Sequence, residues 1–118
     1  MIERKRFSFL TRRVLVEIRD DSPEGWPSIA DAGCYTEPDD KGEFLIWFSV
    51  GRGVPGLSTI VHECWHLFMT ILGYADKDEY SFDELDSEIY AYNFQILFMD
   101  VLNSLLNSKA YQGHLEND

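Results

Sequence analysis

Cysteine is scarce. Cys34 and Cys64 are the only two, too few for a disulfide framework, so the core must hold by packing. Long apolar runs are missing as well. Residues 7–10 (Phe-Ser-Phe-Leu) are cut off by Thr11, Arg12 and Arg13, a run too short for a signal peptide, so none is expected, and nothing approaches the roughly 20 apolar residues of a membrane span. The expectation is a cytoplasmic protein with reduced thiols and no membrane partner. Basic residues are few beyond the start. Arg4, Lys5, Arg6, Arg12, Arg13 and Arg19 are six of the ten, and from Asp20 onward there are 19 acidic residues against 4 basic. Phosphate binding needs clustered Lys and Arg, so the charge argues against nucleic acid as a direct ligand. The basic leading segment reads as a solvated strand edge in preference to an arm for nucleic acid or membrane.

What is present suffices for one domain. The 118 residues are 45% hydrophobic and 14% aromatic, enough for a modest core. Residues 1–50 read mainly as strands. Residues 13–18 are short, β-branched and partly alternating. The apolar runs 33–36 and 43–50 flank Glu-Pro-Asp-Asp-Lys-Gly at 37–42, a hairpin pattern. Run 43–50 is almost wholly apolar, as a strand covered on both faces would be. The period then changes. A helix is expected over 58–72, with Ser58 as N-cap and Gly73 as C′ residue. Ser81 and Glu84 are spaced as a capping box opening a longer helix over 81–107. That second helix carries two apolar stripes, Leu85, Ile89, Tyr92, Ile96 and Phe94, Phe98, Val101, Leu105. Two stripes imply burial on more than one side, or a contact in a homodimer. Residues 113–118 read as a disordered tail. The expected fold class is α+β, a small antiparallel sheet with two packed helices.

One motif carries chemistry. His62, Glu63, Cys64, Trp65 and His66 form H-E-x-x-H inside the first expected helix. Residues four apart lie on one helix face, about 5–6 Å apart at Cβ, so both imidazoles reach one ion. Glu63 is rotated by about 100°, beside the ion rather than on it, where it can serve as general base. The alternative reading makes His62 and His66 ordinary hydrogen-bonded surface histidines. Two imidazoles and a carboxylate suit zinc, one per chain, better than the hard cations. No third histidine follows at a useful spacing, so the third ligand is expected from Asp83, Glu84, Asp86 or Glu88. Glu84 already has a capping role. Glu88 lies one turn deeper, where an unpaired carboxylate among Ile89, Ala91 and Tyr92 would be costly, and a metal partner removes that cost. Glu88 is the preferred ligand.

With these residues quoted, the sequence resembles gluzincins. It is most similar to minigluzincins and the small HExxH metallopeptidases of phages and prophages, and is akin to the peptidase domain of the ImmA/IrrE type. The resemblance covers about residues 33–106 and implies a minimal zincin-like fold. It also implies His62, His66 and Glu88 as metal ligands and Glu63 as catalytic base. Many gluzincins place an acid four residues after the ligand Glu, where this chain has Tyr92. Cys64 reads as a core thiol, Trp65 as packing or rim, and Tyr92 as a core residue or a hydrogen-bond donor to a ligand. Residues 44–50 read as a core strand or, by analogy with zincins, as an edge for an extended peptide.

Three functions follow as expectations. The first is a zinc-dependent metallopeptidase that hydrolyses peptide bonds through metal-activated water. The second is a metal-stabilised, non-catalytic interaction protein that modulates a host factor. The third is an acidic mimic of nucleic acid, which leaves the motif without a use.

Overall fold

A computed structural model describes residues 2–74 and 87–117, without the side chains of 87, 88 and 114–117. Four strands, β1 (Ile2–Phe9), β2 (Arg12–Arg19), β3 (Ala32–Cys34) and β4 (Glu43–Ser49), precede three helices, α1 (Leu57–Tyr74), α2 (Ser87–Leu106) and α3 (Lys109–Asn117). The strands form one sheet in the order β1-β2-β4-β3, and the fold is α+β as expected. No described helix is long and apolar enough to cross a membrane.

The sheet is mixed, not wholly antiparallel. β1–β2 and β3–β4 are antiparallel, but β2 and β4 run parallel from Arg13↔Glu43 to Arg19↔Ser49. A parallel pair needs a long crossing connection, and residues 20–42 provide it while laying β3 on the far edge of β4. The β3–β4 hairpin is where the sequence put it. Asp39 Oδ1 accepts hydrogen bonds from the backbone N–H of Lys41 and of Glu43, both at 2.9 Å, and Gly42 takes φ +80°.

Alternation explains the two faces of the sheet. Val14, Val16 and Ile18 on β2 and Phe44, Ile46 and Phe48 on β4 are buried beneath the helices with Ile60, Cys64, Leu67, Phe68 and Ile71 of α1. The opposite face holds Leu15, Glu17, Glu43 and Trp47. Here Trp26, from the crossing connection, packs edge-on against Trp47 (5.3 Å between centroids) and Tyr35 (5.5 Å). Run 43–50 is thus covered on both sides. Gly33 is required at this layer, since a Cβ there would lie 2.5 Å from Trp47 Nε1 and 2.7 Å from Trp26 Cζ3. The buried carboxylates Glu17 and Glu43 are paired with arginines, Glu17 with Arg4 and Arg19 and Glu43 with Arg6.

Two boundaries differ from expectation, that of α1 and that of the tail. Helix α1 begins at Leu57, with Gly56 O accepting from Ile60 N–H, so Ser58 lies inside it, and it runs through Gly73 to Tyr74. The proposed capping box at Ser81 and Glu84 lies outside the described residues. The tail is helical: α3 occupies Lys109–Asn117. Tyr111 is buried in the core, and the Glu3 carboxylate accepts hydrogen bonds from Lys109 N–H (3.1 Å) and Ala110 N–H (3.0 Å). An anion on those N–H groups satisfies otherwise orphaned donors at the favourable end of the dipole. Glu3→Ala should therefore cost about 0.5–2 kcal/mol. It should also speed amide exchange in α3 while α1 is unaffected, as hydrogen exchange would read.

Candidate metal centre

The 3.6-residue repeat of α1 sorts its side chains into three sets. Ile60, Cys64, Leu67, Phe68 and Ile71 face the core. His62 and His66 stand one turn apart on the exposed face, and Glu63 turns toward the sheet edge. The imidazoles are ready for a common partner. Their Nε2 atoms are 3.1 Å apart, with rings at 78° and centroids 4.7 Å apart. Two nitrogens each 2.0–2.1 Å from one tetrahedral zinc are separated by roughly 3.3 Å. The pair is therefore within a few tenths of an ångström of a chelating geometry, and the residues present fit such an ion. Without metal, the same distance admits one N–H···N hydrogen bond.

Glu63 does not share that exposure. Its side chain is 14% exposed against 67% for His62, and Oε1 lies 4.0 Å from His62 Nε2. Burial raises its pKa, opposed by charge on His62 and then His66. The carboxylate lines a groove of about 260 Å³ between α1 and β3, with Trp26, Gly33, Cys34, Thr36, His66 and Thr70. Two thiols lie close by. Burial, with a smaller contribution from Glu63, pushes Cys34 up to about 12. Burial, then Cys34 and Glu63, pushes Cys64 up to about 12. Both thiols are neutral near pH 7 and correspondingly poor nucleophiles, so neither competes with the Glu63 carboxylate as a proton acceptor.

Aromatic contacts seat the second helix beside this site. Phe68 meets Phe94 (5.7 Å) and Tyr90 (6.5 Å), and Trp65 meets Phe94 (5.5 Å). Glu88 lies in the first turn of α2, two residues before Tyr90; its side chain, like all of Asp83, Glu84 and Asp86, lies outside the description. Among the described residues, no group of three His, Cys, Asp or Glu side chains is arranged to hold a metal. The structure thus brings together His62, His66 and Glu63 and sets the α2 residues that precede Tyr90 on the adjoining helix.

The other candidates fall out plainly. Cys64 is a buried core thiol and Trp65 is half-exposed packing against Phe68 and Phe94. Tyr92 is 65% exposed and not a core residue, because the inward side of α2 is taken by Leu97, Val101 and Leu105. β4 is an interior strand, so residues 44–50 offer no edge; the edge beside the site is β3. Cys34 and Thr36 were not anticipated as lining, since only tertiary packing brings them to Glu63. Thr70 did carry a signal, four residues after His66 on the same side of the helix. Compared with family models, curated proteins and solved structures, the chain matches none.

Proposed function

We propose that this chain is a zinc-dependent metallopeptidase of gluzincin kind, acting on a peptide or protein, with His62, His66 and Glu88 as ligands and Glu63 as general base. The observation that carries this reading is the position of Glu63. Its carboxylate sits beside the imidazole pair, partly buried, and faces an open groove. A purely structural metal site has no use for a base there, and none for a groove. Zinc supplies Lewis acidity, which makes water a usable nucleophile near neutral pH.

The chain's own groups do the rest. The two imidazoles present their Nε2 atoms to the outside of α1, where they would hold the ion. Glu63 accepts a proton on its carboxylate from the attacking water and returns it to the leaving amine nitrogen. Desolvation of that carboxylate strengthens it as a base. The hydroxyls of Thr36 and Thr70 offer polar contacts to an occupant of the groove.

Metal analysis tests the reading. Purified protein should carry about one zinc per chain. His62→Ala and His66→Ala should each abolish tight binding and Glu88→Ala should weaken it, whereas Glu84→Ala should leave stoichiometry unchanged. Full zinc content in either histidine variant would refute the site. Loss of metal in Glu84→Ala with retention in Glu88→Ala would move the third ligand to Glu84.

A further inference from the structure

The outward face of α2 has no role in the site or the core. Ile89, Tyr92, Ile96, Met99 and Leu106 point outward, each between 40% and 65% exposed. With Asn103 they fall at positions 89, 92, 96, 99, 103 and 106, an alternation of three and four residues that repeats every seven. That is the spacing of a coiled-coil seam, with Ile89, Ile96 and Asn103 at one position and Tyr92, Met99 and Leu106 at the other. A solvated helix face is normally charged. Here, in a chain of net charge −11, the 20 residues of α2 contain only Glu88 and Asp100 as charged groups and no Lys or Arg.

We infer that the protein is a homodimer in which α2 packs antiparallel against α2 of a second copy. The seam is self-complementary under a twofold axis, the symmetry of an isologous dimer. Set antiparallel about its midpoint, Ile89 faces Leu106 of the second copy, Ile96 faces Met99, and Tyr92 faces Asn103. Apolar meets apolar, and a phenol meets an amide that can both donate to it and accept from it. On the flank Asp100 comes opposite Asn93 of the second copy, so no two acids are apposed although both chains are strongly acidic. The helix dipoles also run in opposition. What singles out a second copy is the register, which sets the two polar residues of the seam, Tyr92 and Asn103, opposite each other.

The seam is short, roughly 25 Å from Ile89 to Leu106. Free helices of that length would not pair well, but α2 is already held by its inner stripe, Leu97, Val101 and Leu105. Its ordering cost is met by folding and not by association.

Light scattering and sedimentation of the full chain should give twice the 13.7 kDa monomer mass, falling on dilution. Ile96→Asp should give a monomer with unchanged circular dichroism, and Met99→Lys should do the same should the first variant not fold. A register test uses Tyr92→Glu and Asn103→Lys. Each alone should weaken dimerisation at least tenfold, and the double variant should restore it, because these positions face each other only in the antiparallel arrangement. A monomer at every concentration would overturn the inference. So would a dimer surviving both Ile96→Asp and Met99→Lys in folded protein, or a double variant as weak as the single ones. These readings are of mass alone and stand apart from the metal analysis.

Discussion

Glu63→Gln should bind zinc at the wild-type stoichiometry and lose peptide hydrolysis by roughly 10²–10⁴-fold. The substitution keeps the side chain's size, so the groove and both imidazoles stay as they are. What it removes is a carboxylate able to take and return a proton. Because the loss is in the chemical step, it should appear in kcat with little change in KM. Cys34 and Cys64 provide an internal control. Burial is the larger cause of their raised pKa values, so their slow alkylation should barely change. Should wild type and Glu63→Gln be equally inert on peptide libraries yet equally able to bind a protein partner, the interaction-protein reading replaces the enzyme.

Phe68→Ala should destabilise the fold by about 3–5 kcal/mol in chemical denaturation, the usual cost of emptying a buried aromatic site. Phe68 is 1% exposed and touches every layer near the metal centre. Its ring meets Phe9 of β1 (6.1 Å), Trp65 of its own helix (5.8 Å), and Tyr90 and Phe94 of α2. Removing it loosens the alignment of α1 with α2 two residues from His66. Zinc affinity should fall as well, although no proposed ligand is touched. A loss below about 1 kcal/mol, the scale of a surface change, would show that this junction does not hold the helices together.

How much of this was legible beforehand depends on how local the determinant is. The His62–His66 pair and the side of Glu63 follow from helix geometry alone, because all three lie within five consecutive residues. The β3–β4 hairpin is equally local, fixed by Asp39 and Gly42. The β1–β2 hairpin is local but carries no turn signature. Its corner is Leu10 and Thr11 at φ 48° and 60°, where glycine or asparagine is the usual choice. The parallel join of β2 to β4 is written in neither strand, since both would bury the same alternating residues against other neighbours. Helix α3 was unreadable for a plainer reason. The carboxylate that starts it, Glu3, is 106 positions from Lys109. Likewise Cys34 and Thr36 enter the groove through sheet order, not through sequence spacing.

The parallel join also governs what the chain exposes while it is being made. During synthesis the β1–β2 hairpin emerges early, with the apolar row Val14, Val16 and Ile18 ready, but the strand that shields its inner edge is not translated until residues 43–49. In that interval an apolar strand with an open edge is a template for pairing with other nascent chains. Cationic side chains on and beside such a strand act as gatekeepers against it. Arg4, Lys5, Arg6, Arg12, Arg13 and Arg19 all belong to these two strands. The lopsided charge of the sequence thus falls on the two strands whose inner edge stays open until β4 is made.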